Sequence, residues 1–184
     1  MAHVGKRVHK MKDGRDIIIR DVSMLDAERI IEINKSVLEE GHYMMREPEE
    51  ANYTIEGMKS EFSIHINNPG SIYIIAEVDR HVIGYLEFTC GSFRRTSHAG
   101  MFSIFIIDGW REFGAGKLLV QSLLDWAQSS PLIEKVTLAT FSTNARAERL
   151  YRSLGFIEEG RCPNDMKLKD GTYIDSVLMY KFVK

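Results

Sequence analysis

The spacing of apolar residues changes near residue 70, and the change separates two kinds of structure. Before it, Leu25, Ile30, Ile33, Val37 and Leu38 recur at helical intervals, which predicts an amphipathic helix from Met24 to near Gly41. Ile55, Met58, Phe62 and Ile66 keep the same period and predict a second helix from Thr54 to Ile66, ended by Asn67-Asn68-Pro69-Gly70. The stretch between them, Tyr43 to Ala51, carries Pro48 and several acids and reads as a loop. At the front, Val8 to Arg20 reads as a hairpin around Asp13-Gly14.

After residue 70 the pattern is strand-like. Ser71–Val78, Val82–Cys90 and Ala99–Ile107 are joined by short turns, so an antiparallel meander is expected. A helix follows over Gly114–Gln128, with Leu119, Val120, Leu123 and Ala127 on one face and Pro131 stopping it. Val136–Phe141 is a strand. Thr143 or Asn144 caps a short helix that ends at Gly155. Another strand starts at Phe156–Gly160, Asp170-Gly171 turns the chain, and Tyr173–Phe182 is the last strand. The order ββααβββαβαββ predicts an α/β (α+β) layered fold around one mixed sheet.

Composition narrows the function classes. A chain of 184 residues suits a single domain over 1–184, with residues 1–14 an N-terminal arm or hairpin free to move. A formal net charge of −2 argues against a general nucleic-acid binder. No apolar run approaches a membrane span, and no signal peptide is visible. Cys90 and Cys162 form no metal or redox motif, read as small packing residues, and point to a cytoplasmic protein. Lys6, Arg7, Lys10 and Lys12 read either as an arm for an anionic partner or as solvated charges on an edge strand, and the second is favoured.

The chemistry concentrates between Ile104 and Leu119. An apolar strand feeds a turn holding Arg111, Gly114, Gly116 and Lys117, and a helix follows. Unpaired N–H groups and the dipole at a helix start favour an anion, and glycines allow its close approach. A P-loop is excluded, because Arg111 stands where its first glycine belongs and Leu118 where its hydroxyl belongs. The dinucleotide fingerprint fails at Leu119, where a third glycine is needed.

Arg111-Glu112-Phe113-Gly114-Ala115-Gly116 resembles the Arg/Gln-x-x-Gly-x-Gly/Ala signature of the GNAT N-acetyltransferases. Asn144, Ala147, Leu150, Tyr151, Gly155 and Phe156 resemble the family's second signature, Asn-x-x-Ala-x-x-Leu-Tyr-x-x-x-Gly-Phe. The resemblance runs from Ile17 to the C-terminus. It implies a mostly antiparallel sheet that splays in the middle and binds acetyl-CoA as co-substrate, with no metal. Residues 111–117 (Arg111, Glu112, Phe113, Gly114, Ala115, Gly116, Lys117) would hold the diphosphate. The backbone of Ile104, Phe105 and Ile106 would pair with pantetheine. Tyr151 would be the general acid, and Asn144 either a pantetheine contact or simply the helix cap.

Many family members carry a glutamate five residues before the asparagine; here that position is Ala139. Glu87 is the alternative base, on a strand face that looks either to the acceptor cleft or to solvent. His98 is another, although it reads better as a surface residue. Glu47, Glu49 and Glu50 either attract a cationic amine or form a solvated loop, and the final hairpin near Met166–Thr172 would border the acceptor side. The function expected is acetyl transfer to a primary amine, on a small molecule or a protein, by direct attack. The alternative is an acyl-CoA-binding sensor without turnover. The resemblance and an exposed last strand point to a homodimer.

Overall fold

Alternation of apolar residues sets the sheet. Ile72, Ile74 and Ala76 point to one face and Tyr73 and Ile75 to the other, and all five are buried. Both faces must therefore be covered. The computed structural model describes residues 3–41 and 43–184; residues 1 and 2 of the expected arm lie outside them. The strands are β1 (Arg7–Lys10), β2 (Asp16–Asp21), β3 (Ser71–Val78), β4 (His81–Cys90), β5 (Ala99–Ile106), β6 (Lys135–Phe141), β7 (Ile157–Lys167) and β8 (Tyr173–Phe182). The helices are α1 (Ala27–Glu39), α2 (Ile55–Asn67), α3 (Ala115–Ser129) and α4 (Ala145–Ser153). The element order matches the one expected.

The sheet runs β1-β2-β3-β4-β5-β6-β8-β7. All pairs are antiparallel except β5 with β6. That parallel pair holds over Ala99–Met101 against Lys135–Thr137. Beyond Met101 the two strands part, while β5 stays paired to β4 up to Ile106. The sheet is thus splayed at its centre. β8 lies between β6 and β7, so the strand expected to be exposed is interior and the free edge belongs to β7.

Each face has its own core. Ile74, Leu86 and Phe88 pack with Leu119, Val120 and Leu123 of α3, and Tyr151 and Phe156 extend that core. Tyr73, Ile75 and Tyr85 pack with Ile30 and Ile33 of α1 and with Met58 and Phe62 of α2. Arg20 ties β2 to both β3 and the turn before α1, bonding Asp26 at 2.8 and 2.9 Å and Glu77 at 2.9 Å.

The expected hairpin is present, closed by Met11 N–H on the Arg15 carbonyl at 2.9 Å. It does not hang free, because Lys12 N–H donates to the Phe113 carbonyl at 3.0 Å. Of its basic residues, Lys10 pairs with Asp16 and Arg7 with Asp125. Cys90 and Cys162 are half-buried free thiols. Among the described residues, no helix is long and apolar enough to cross a membrane.

Candidate functional site

The parted strands open a cavity of about 1100 Å³. It joins three features: the free edge of β5, the start of α3, and a group of polar side chains over α2 and β4. Ile107 N–H bonds the Ile83 carbonyl at 3.1 Å. By alternation the backbone of Phe105 also faces β4, and that of Ile104 and Ile106 faces the opening. The open edge therefore belongs to Ile104 and Ile106, which corrects the expectation for Phe105. The Phe105 ring packs on Tyr85, with centroids 5.0 Å apart.

The turn into α3 is tight. Glu112 has φ 70° and Gly114, the residue before the helix, φ 103°. A glycine is needed at 114 because a side chain there would be strained. The first helical bond is Leu118 N–H to the Gly114 carbonyl at 3.1 Å, so the N–H groups of Ala115, Gly116 and Lys117 have no helical acceptor. A Cβ at Gly116 would come within 3.3 Å of Ile106 and 3.4 Å of Leu150, so the bare glycine keeps this floor open. Lys117 and Lys12 line the same end, as do Arg146 and Arg149 of α4, and none of the four has an ion pair among the described residues.

Two residues of the turn depart from expectation. The Arg111 guanidinium does not turn to the α3 N–H groups. It makes a two-pronged pair with Glu40, at 2.6 and 2.7 Å, and its Nε donates to the Ile106 carbonyl at 2.8 Å. Arg111 thus ties the end of α1 to the turn and occupies one acceptor of the β5 edge. Phe113 does not line the cavity; its ring packs against the α3-side core and lies under Arg15, 5.4 Å from the guanidinium carbon. Ala115 is buried, so its contribution to the opening is its backbone.

Asn144 caps α4, its Oδ1 accepting from Ala147 N–H at 3.1 Å, and it also lines the cavity. Both of its expected positions are therefore compatible with one rotamer. Tyr151, on α4, is wedged edge-on between Phe102 and Phe156, at 5.8 and 6.0 Å. Burial pushes its phenol well above the usual range, so it holds its proton at neutral pH. It lines the cavity and makes no hydrogen bond among the described residues.

Glu87 projects into the cavity on the α1–α2 side, with Tyr85. Burial, reinforced by the charge of Glu61, raises its pKa from 4.5 to about 7, and a hydrogen bond from Ser103 works against the rise. A carboxyl with that pKa can take a proton near neutral pH. Ala139 also lines the cavity but offers no titratable group. His98 is not among the lining residues; its carbonyl accepts from Glu134 and Lys135 N–H groups. Glu47 and Glu49 stay outside and meet Lys169 of the final hairpin, at 3.0 and 3.6 Å.

Sequence reasoning missed Glu40, Glu61, Arg146 and Arg149, and favoured solvated charge over an anionic-partner role for Lys12, which lines the cavity. Arg146 and Arg149 were legible as unmatched positions inside the second motif. Glu61 lies beside the apolar stripe of α2, where an acid looks like ordinary solvated surface.

Residues 38–156 match the family model described as acetyltransferase (GNAT) family. An L-amino acid N-acetyltransferase of Escherichia coli is 26% identical over 61% of this chain and 69% of its own length. An N-alpha-acetyltransferase of Sulfurisphaera tokodaii is 26% identical over 80% of this chain and 84% of its own. Among solved structures, yncA from Salmonella typhimurium, determined with its cofactor acetyl-CoA, superimposes with a TM-score of 0.81 at 21% identity, over 91% of this chain and 94% of that one.

Proposed function

The chain belongs to the acetyltransferase (GNAT) family, and from that premise we propose that it transfers an acetyl group from acetyl-CoA to a primary amine by direct attack of the amine on the thioester. The observation that carries this reading is the cavity connecting an anion-favouring helix start, an unpaired strand edge, a protonated phenol and a carboxyl with a pKa of about 7.

The residues fit coenzyme A. The N–H groups of Ala115, Gly116 and Lys117, with the ammonium groups of Lys117 and Lys12, would hold its diphosphate. Arg146 and Arg149 add positive charge along the same wall. The edge left open at the Ile104 backbone and the Ile106 N–H would take pantetheine amides as an added strand, the Ile106 carbonyl being held by Arg111. When bound, the thioester supplies the acyl group and a sulfur leaving group.

The chain's own groups handle the protons. Glu87 accepts one from the incoming ammonium, leaving a lone pair free for attack. Tyr151 holds its proton at neutral pH because burial raises its pKa, and it donates a hydrogen bond where negative charge gathers on the departing sulfur. The tyrosines and carboxylates at the acceptor end favour a cationic amine with an apolar body. The two relatives' names give an L-amino acid and an α-nitrogen as the positions acetylated, which fits an amine acceptor here.

The same reading includes a cytoplasmic enzyme working as a homodimer, paired through the free β7 edge, where Ile157 is 53% exposed. Thiol release from acetyl-CoA over a panel of amino acids, small amines and peptides tests the proposal. Turnover on at least one amine is expected. Tight acetyl-CoA binding without turnover on any of them would make the protein a sensor, and stronger thermal stabilisation by ATP than by acetyl-CoA would overturn the cofactor.

A further inference from the structure

Glu61 and His65 stand one helical turn apart on α2, and Glu87 faces them from β4. An oxygen of each carboxylate and a ring nitrogen of His65 all lie within 4.8 Å of one another. His65 Nε2 is 3.8 Å from Glu87 Oε2.

The hydrogen bonds around His65 determine which nitrogen carries its proton. The Ser71 hydroxyl donates to the Phe88 carbonyl at 2.8 Å. The same oxygen is 2.5 Å from His65 Nδ1. With the serine proton already engaged, Nδ1–H is the donor, and the lone pair sits on Nε2, toward Glu87. His65 is 8% exposed, and burial lowers its pKa against the opposing charge of Glu61, so the ring is neutral with its Nε2 lone pair free.

Other elements facing this cluster supply no charge to balance it. Tyr73 on β3 is the cross-strand partner of Glu87, Ser103 on β5 flanks it from the other side, and Tyr85 neighbours it along β4. Among the described residues, no lysine or arginine pairs with Glu61 or Glu87. Two carboxylates and an imidazole lone pair therefore converge with no resident cation.

We propose that Glu61 and His65 are the proton-handling partners of Glu87, the acceptor ammonium docking between the two carboxylates and its proton passing through Glu87 to His65 Nε2. This rests on the reading of Glu87 as the base. In the first step an N–H bond of the ammonium breaks, an O–H bond forms on Glu87, and the electron pair stays on the amine nitrogen. In the second, that O–H bond breaks as Nε2–H forms. The imidazolium produced is held by both carboxylates, and its proton leaves through half-buried Glu61 to solvent. Glu87 is then free to take the second amine proton. Mutual repulsion between the carboxylates keeps Glu87 basic enough for the task.

The test is the pH dependence of kcat and KM for Glu61→Gln, His65→Asn and Glu87→Gln, with folding checked by thermal melting. The amide introduced by His65→Asn retains a donor for Ser71 but offers nothing in place of the Nε2 lone pair. In Glu61→Gln the acid limb of kcat/KM should move down by about one pH unit, because the neighbouring charge is gone. Its KM for the amine should rise about tenfold, while KM for acetyl-CoA holds. His65→Asn should lower kcat about tenfold with the acid limb retained. An unmoved acid limb in Glu61→Gln, or unchanged kcat in His65→Asn, overturns the relay.

If Glu87→Gln keeps wild-type kcat, the base assignment fails first. If Glu87→Gln is inert while the other two variants match wild type, this inference alone fails. A readout needing no variant is the imidazole nitrogen NMR spectrum of the wild-type protein at about pH 7.5, above the ordinary histidine range. An Nδ1–H tautomer is expected, and an Nε2–H tautomer sinks the relay. Activity lost to a chelator and restored by zinc would also overturn it, since the cluster would then hold a metal.

Discussion

Replacing Glu87 with glutamine should make the protein more stable and less active at once. The carboxyl has an ordinary pKa of 4.5 and a folded value of about 7. Below pH 4.5 it is neutral in both the folded and unfolded chain, and folding is indifferent to it. Between 4.5 and about 7 the unfolded chain ionises while the folded one keeps its proton, so stability falls as pH rises. Above about 7 the whole penalty is present. At about 1.4 kcal/mol per pH unit, the gap corresponds to about 3 kcal/mol as a ceiling. The side chain is 30% exposed, and solvent screening reduces this to about 1–3 kcal/mol. Glutamine keeps the shape and a polar group for Ser103 but never ionises. In a domain of this size, at about 2–4 °C per kcal/mol, the melting temperature at about pH 8 should rise by about 2–12 °C over wild type. At pH 4.5 the difference should nearly vanish. Turnover should fall about 10²–10⁴-fold, the usual contribution of a general base. Differential scanning calorimetry across that pH range, beside a thiol-release assay, reads both. A stability difference independent of pH would refute the burial argument, and retained turnover would refute the base.

Tyr151→Phe preserves the ring contacts with Phe102 and Phe156 and should lower kcat about 10²-fold or more with little change in melting temperature; unchanged turnover would move the acid elsewhere. The Arg111–Glu40 pair, 18% and 22% exposed, should show a coupling of about 1–3 kcal/mol in a double-mutant cycle of urea unfolding. A coupling near zero would mean that it does not brace the turn. Lys12→Glu should raise KM for acetyl-CoA about tenfold, more steeply at low salt, with the amine KM unaffected. An unchanged cofactor KM would place the hairpin outside the binding site.

Most of the fold was legible because its signals are local. Asn67-Asn68-Pro69-Gly70 ends one helix whatever surrounds it, and Asp13-Gly14 turns a hairpin by backbone preference alone. The turn into α3 was legible for the same reason, since only glycine tolerates the conformation at Gly114. Long-range pairing was not legible. Arg111 reads from its neighbours as a phosphate ligand, yet its partner is Glu40, 71 residues away. β8 reads as the exposed last strand, yet the chain inserts it between β6 and β7. Glu87 alternates with apolar neighbours in a way that fits solvent or cavity equally, and α2 decides the matter by laying Glu61 and His65 over it.

The parting of β5 from β6 divides the chemistry between two supports that pack independently. Tyr151 and the start of α3 belong to one core, and the α2 helix that carries Glu61 and His65 packs against the other. A partly buried carboxylate pair destabilises its surroundings, so it must sit where apolar packing is dense. Here the aromatic series Phe62, Tyr73, Tyr85 and Phe105, with successive centroids 4.9 to 5.1 Å apart, provides that packing. The cationic groups proposed to hold the cofactor stand at the other end of the cavity and make no ion pair with Glu61 or Glu87 among the described residues. If the separation matters, a lysine introduced near Glu61 should abolish amine turnover without weakening acetyl-CoA binding. The base would then be neutralised by its own protein, and the cofactor support would be left as it was.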